Sequence, residues 1–310
     1  MIDDIKDKII NKALEIGFAD IRFVQIRPWE DELDFFENWL AKKHHADMHY
    51  LERNIQLRNN PKEILPSAKT MIVTATNYYT PNQHSEKEGL GKISRYCWGE
   101  DYHKVLKRML KKLVKSIYEF DLNSKNRFFV DSGPILEKQW AIRSGIGWQG
   151  KNSLIIHPEL GTWFFLGVVL TSIDIEADMP FTKDLCKDCT KCIDSCPTNA
   201  IISPRIIDAN KCIAYHTIET KAETNIPDKV RSNMNSWLFG CDTCQDVCPW
   251  NTNVEHTKIE EFYLISNPIE WNLNDIIDME EIEFSNKFHN SSIKRTGLKA
   301  LHRNACALRK

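Results

Sequence analysis

CKDCTKCIDSCP, residues 186–197, spaces Cys186, Cys189, Cys192 and Cys196 as CxxCxxCxxxC and closes on Pro197. CDTCQDVCP, residues 241–249, repeats the ending with Cys241, Cys244, Cys248 and Pro249, while its leading cysteine, Cys212, stands 29 residues before Cys241. Two such groups within about 60 residues form the pattern of a module that holds two cubane iron–sulfur clusters. Two intervening residues let successive thiolates wrap one cluster, and the cysteine before proline turns toward the other. The pattern assigns Cys186, Cys189, Cys192 and Cys248 to one cluster and Cys196, Cys212, Cys241 and Cys244 to the second. Zinc is the competing reading, because CxxC pairs also build tetrahedral sites and eight cysteines would fill two of them. The third cysteine of each run and the two Cys-Pro endings weigh against zinc. Cys97 and Cys306 fall outside the pattern and read as ordinary thiols.

The rest of the composition is that of a globular protein. The 310 residues are 42% hydrophobic and 27% charged with a formal net charge of -2, which excludes a disordered or fibrous chain and a globally basic surface. The start, MIDDIKDK, lacks the features of a secretory signal. The longest apolar run, Trp163 to Leu170, is far short of the roughly 20 residues that span a bilayer. These features lead to the expectation of a cytoplasmic protein with no membrane contact. In a reducing compartment, eight cysteines crowded between Cys186 and Cys248 point to metal, not disulfides.

Upstream of the cysteines the chain alternates. Ile5, Ile9, Ala13 and Ile16 at helical spacing end at Gly17, and Phe18 to Ile26 then reads as a strand. Glu30 to Lys43 and Met48 to Ile55 read as helices, and TMIVTATN, Thr70 to Asn77, as a buried strand. Pro81 to Gly91 reads as an exposed loop. Tyr102 to Phe120 is an amphipathic helix whose outer face carries Lys104, Lys107, Arg108, Lys111, Lys112 and Lys115. Arg127 to Val130 is a strand, Ile135 to Ser144 a helix, and Leu154 to His157 and Trp163 to Thr171 are strands. The expected fold class is α/β (α+β). Its first domain spans residues 1–175, a two-cluster ferredoxin-like module spans 176–255, and a short helical tail spans 256–310.

Two segments of the first domain carry candidate chemistry. Gly145-Ile-Gly-Trp-Gln-Gly150-Lys151-Asn152 matches GxGxxG and nearly matches a phosphate loop. Both patterns need a strand before and a helix after, and here the order is reversed. A glycine-rich loop approached by something flat and bulky is the preferred reading. Val130-Asp131-Ser132-Gly133-Pro134 places an acid at the end of a strand. Asp131 is either a cap of the following turn or helix, or a general acid whose pKa is raised in a partly desolvated pocket. Local sequence leaves both open.

VDSGP, GIGWQGKNSLI, Arg95-Tyr96 followed by GEDYHK, and the two cysteine motifs together resemble the epoxyqueuosine reductase family over nearly the whole chain. The resemblance implies a cobalamin-binding first domain fed by two 4Fe-4S clusters. It also implies reduction of the epoxide of epoxyqueuosine in tRNA, the last step of queuosine biosynthesis, with Asp131 as proton donor. It places Arg58, Ser94, Ile155, Leu166, Val169 and Asp242 alongside Asp131 among the cobalamin contacts. Implied partners are a tRNA anticodon loop and an external donor of flavodoxin or ferredoxin type, with the chain a monomer. Ala46 and Ala214 depart from the residues common in the family. Many members continue past the Arg303-Asn304 pair into a helical-repeat domain. This leaves the basic helix and the Lys294–Lys310 tail as the expected tRNA surfaces. The alternatives are another cobalamin reductase, dehalogenase-like, or a two-cluster electron-transfer protein.

Overall fold

The computed structural model describes residues 2–29, 31–85, 87–263 and 269–309; Glu30 and Lys310, named above, lie outside the described residues. Its first half is built on a four-stranded sheet in the order Asp20–Gln25, Thr70–Asn77, Phe164–Thr171, Asn126–Phe129. All three pairings are antiparallel. The mixed α/β expectation holds, with helices crossing between antiparallel strands.

Every residue of Thr70–Asn77 is buried, because both faces of the sheet are covered. Strand alternation sorts the side chains: Phe23, Ile72 and Val169 enter one core with the Ile2–Ile16 and Tyr102–Phe120 helices. Met71, Val73, Val168 and Leu170 enter a second core with Trp140 of the Glu137–Ser144 helix. The Tyr102–Phe120 helix starts where Asp101 accepts the His103 backbone N–H at 3.0 Å. It buries Val105, Leu106, Leu110, Leu113 and Ile117, each worth about 1.5–3 kcal/mol of transfer free energy. That cap fixes where Tyr102 and His103 sit.

The expected Met48–Ile55 helix is not one element. A single turn, His49–Leu51, is followed by a separate helix at Ile55–Asn59, because Asn54 adopts a left-handed φ of 58° that breaks the run. The resulting strap, residues 42–54, lies across the second half of the chain. Trp39 Nε1 donates to Ile207 O at 2.8 Å, and the Asp47 N–H donates to the Tyr215 hydroxyl at 3.1 Å.

A three-stranded sheet ties the molecule together. Trp237–Phe239 pairs in parallel with Leu90–Ile93, which pairs antiparallel with Glu270–Asn272. One strand comes from each of the three expected segments. Their shared core holds Trp98, Phe239, Trp271, Phe288 and Leu301. The end of the chain is helical, at Leu273–Ile277, Glu281–Lys287 and Leu298–Leu308.

Candidate active site

A cleft of about 960 Å³ opens between the strap, the Asp131 turn and the hairpin carrying Arg205 and Ile207. Phe35, Trp39 and Leu136 give it apolar walls, and Arg58, Asp131 and Glu137 bring polar groups into it.

Asp131 follows the Asn126–Phe129 strand and adopts a φ of 55°, a left-handed conformation that costs a non-glycine residue about 1–3 kcal/mol. Glu137 offsets this, since its Oε1 accepts the Asp131 backbone N–H at 2.8 Å. The turn aims the carboxylate at the start of the Tyr102–Phe120 helix. Tyr102 donates its hydroxyl to Asp131 Oδ2 at 2.7 Å, and His103 Nε2 lies 3.4 Å from the same oxygen. His103 Nδ1 lies 2.8 Å from Asp101 Oδ1, so the imidazole is held between two carboxylates. The capping alternative for Asp131 is overturned. The next helix begins at Glu137 behind Leu136 with no side-chain cap, and the Asp131 carboxylate is engaged elsewhere.

The charge states follow from this arrangement. The His103 bond, helped by Tyr102 and opposed by burial, holds Asp131 below the ordinary carboxylate value. The expected upward shift of Asp131 is therefore corrected, because a cation and a hydroxyl donor face its ionised form. Burial works to lower His103, but its bonds to Asp101 and Asp131 prevail and raise it to about 9. Glu137 is pushed up to about 8 by burial and by the negative charge of Asp131. Around Asp131, the protons at neutral pH reside on the imidazole and on the neighbouring carboxyl.

The cysteines lie close to one another in space. Burial raises Cys192 to about 11, with added repulsion from Cys186, Cys248 and Cys189. Cys248 in turn feels Cys186 and Cys189. Burial likewise raises Cys244, which faces Cys241, Cys212 and Asp242, while Cys212 faces Cys196. Cys192 also acts on Cys244, so the two expected groups adjoin one another. Four crowded thiols of this kind ionise together only around cations, which is the donor chemistry of a cluster. Among the described residues, the one trio of His, Cys, Asp or Glu donor atoms all within 4.8 Å of one another is His45, His49 and Glu52.

The other expected cofactor contacts divide. Arg58 is buried and lines the cleft with Asp131. Ser94 and Asp242 are buried together outside the cleft lining, the Ser94 hydroxyl donating to Asp242 Oδ1 at 2.5 Å and the Arg95 N–H to Oδ2 at 2.6 Å. Ile155 and Val169 are core residues and Leu166 packs half-buried against the second core, because the sheet is covered on both faces. Their side chains are not part of the cleft lining.

The glycine-rich loop is also corrected. A Cβ on Gly147 would meet Ile156 O at 2.1 Å, and one on Gly145 would meet Met179 O at 2.3 Å. The close approach these glycines permit is to the chain itself. The loop still bridges the two halves: Gln149 and Ser153 line the cleft, while Asn152 Nδ2 donates to Cys244 O at 3.4 Å. Glu137 and the roles of Tyr102 and His103 escaped sequence reasoning. The DYHK motif was the available signal for the last two.

The family description "Epoxyqueuosine reductase QueG, DUF1730" matches residues 58–132, and "4Fe-4S double cluster binding domain" matches residues 185–251. The epoxyqueuosine reductase of Atelocyanobacterium thalassa is 42% identical over 98% of this chain and 98% of that protein. That of Cyclobacterium marinum is 38% identical over 96% and 94%. A crystal structure of an epoxyqueuosine reductase with a tRNA-Tyr epoxyqueuosine-modified stem loop superposes with TM-score 0.91 at 30% identity, covering 99% of this chain and 81% of that one. The Bacillus subtilis structure gives 0.91 at 29% identity, covering 99% and 82%. With cysteine spacing, fold and sequence in agreement along its length, the chain belongs to the epoxyqueuosine reductase family of oxidoreductases.

Proposed function

We propose that the cleft reduces the epoxide of epoxyqueuosine, carried in the anticodon loop of a tRNA, to queuosine, with Asp131 delivering a proton to the departing oxygen. The observation that carries this reading is the placement of Asp131. It lies in a cleft walled on one side by the hairpin of the cysteine-bearing segment. The cleft volume is at the upper end of the range for cofactor pockets, and its apolar walls with few polar groups suit a large ring such as cobalamin. Arg58, Phe35, Trp39, Leu136 and Gln149 would hold it. Cobalamin, when bound, supplies the low-potential metal chemistry that passes electrons to the substrate.

The chain's own residues supply position and protons. Tyr102 and His103 orient Asp131, and the His103 imidazolium is the source of the proton that Asp131 passes to the oxygen. Without an acid the oxygen would leave as an alkoxide or hydroxide, and general acid help is worth about 100- to 10,000-fold. The Tyr102–Phe120 helix starts at this carboxylate and carries Lys104, Lys107, Lys111 and Lys115 away from it along an exposed face, a track suited to tRNA phosphates. Two of the tail's cations are engaged within the chain. Arg303 is spent on the carbonyls of His216, Thr220, Lys221 and Thr224, and Arg295 pairs with Glu219 at the cleft. Among the described residues no helix is long and apolar enough to cross a membrane. A cytoplasmic monomer fed by a flavodoxin- or ferredoxin-type donor completes the reading.

Anaerobic reconstitution with iron, sulfide and cobalamin, followed by mass spectrometry of nucleosides from tRNA bearing epoxyqueuosine, tests it. Conversion to queuosine is expected. Cobalamin uptake without conversion would redirect the reading to a reductase of small organic substrates, and absence of corrin absorbance to an electron carrier.

A further inference from the structure

Removing the epoxide oxygen as water consumes two electrons and two protons, leaving a carbon–carbon double bond. Both protons end on one oxygen. Asp131 is ionised at rest and passes on only the proton that His103 holds, so the site needs a second proton-holding group beside it. On one side stands His103, which recharges Asp131 through Oδ2. On the other side, Glu137 accepts the Asp131 backbone N–H through Oε1 at 2.8 Å and lines the same cleft.

Resting on the reading of Asp131 given above, we propose that Glu137 has two tasks: it anchors the Asp131 main chain in its left-handed turn, and it is the store of the second proton. The two protons are released in sequence to the same oxygen, one through the His103–Asp131 pair and one from the Glu137 carboxyl. Solvent entering the cleft after product release restores both. The electrons are those delivered by the external donor.

The environment supports the storage role. Glu137 is half-buried and faces the Asp131 carboxylate, which opposes a second negative charge. His103 and Lys138 face it with positive charge, and Arg58 and Tyr102 lie across the cleft. Despite these cations the carboxyl holds its proton to about pH 8. Two adjacent carboxyls of which one stays neutral form the arrangement by which paired acids divide donor and acceptor roles.

Glu137→Gln keeps an oxygen for the Asp131 N–H and removes the transferable proton, which separates anchoring from storage. In the cofactor-free chain, carboxyl carbon NMR should show a glutamate titrating near pH 8 that is absent from Glu137→Gln. In Asp131→Asn the same signal should move toward the ordinary glutamate value. In the reconstituted holoenzyme, Glu137→Gln should lower kcat about 100-fold with KM for a modified stem loop unchanged. The fall of kcat above pH 8 should also shift upward toward pH 9, where His103 loses its proton. Glu137→Asp, which retains a carboxyl, should recover part of the rate and of the alkaline limb. Unchanged kcat and alkaline limb in Glu137→Gln, with Asp131→Asn inactive, would overturn the inference and leave the Asp131 reading standing. An active Asp131→Asn would overturn the reading on which it rests. If Glu137→Gln does not fold, a Glu137→Asp variant with no titration near pH 8 and wild-type kcat overturns the storage role.

Discussion

The cysteine segment and the cleft present the same problem, converging several side chains on one point, and solve it differently. Seven of the eight cluster cysteines lie in two runs, 186–196 and 241–248, where short loops alone bring thiols together. The cleft instead gathers Phe35, Arg58, Asp131, Arg205 and Arg295 from the length of the chain, and depends on the packed sheets to align them. Ligands close in sequence resist distant change, whereas a cleft built on tertiary structure inherits every defect of its scaffold.

Cys212 is the exception among the cysteines, and its loss should have the largest effect. It stands apart from its run and begins the Ile213–Ile218 helix, so its position depends on folding of the second half. Cys212→Ser should reduce iron from about eight atoms per chain to about four and abolish turnover. Iron analysis and electron paramagnetic resonance of the reduced protein check this. Retention of both clusters would break the proposed partition.

Asp131→Asn should come next, lowering turnover about 100- to 10,000-fold with iron content and cobalamin binding retained. Nucleoside mass spectrometry read beside iron analysis makes the comparison directly: one variant loses a cluster, the other loses only a proton. Near-normal product formation would remove Asp131 from the role of acid.

This contrast explains what was legible in the sequence. The two-cluster module was legible from spacing, since loop geometry over two or three residues is local. TMIVTATN and the Tyr102–Phe120 helix were legible for the same reason, each carrying its own period and, in the helix, its own cap. Asp131 was found through its motif, but its charge state was read backwards. Nothing near residue 131 in sequence announces that Tyr102 and His103 meet it in space. Val169 and Ile155 illustrate the converse, since an apolar residue in a strand reads the same whether it faces a cofactor or a core. Asn54 was missed because its left-handed turn interrupts a pattern that remains helical in composition.

The scaffold's share should be visible in Trp98→Ala. Trp98 is 1% exposed, donates Nε1 to Ile93 O at 2.7 Å, and packs in the core shared by all three segments. Truncation should cost about 3–5 kcal/mol, measured by denaturant unfolding. Because that core underlies both regions, the cleft and the cluster segment should lose cooperativity in a single transition. Separate transitions would show that the segments fold independently.

The smallest effect sharpens the comparison most, because it reports on the cleft without turnover. His103 is raised to about 9 from an ordinary 6.5, so the stability it contributes is complete below pH 6.5 and is lost as pH rises through 9. Glu137, raised to about 8 from 4.5, also binds more protons folded than unfolded, and stability falls with pH between those two values. The two windows overlap up to pH 8, and beyond that the imidazole alone continues to titrate. Unfolding free energies of the wild-type holoprotein should therefore keep declining between pH 8 and 9, and those of His103→Gln should level off there. If both proteins decline alike, the imidazole is not clamped between Asp101 and Asp131. Proton resupply to Asp131 would then have to come from solvent instead.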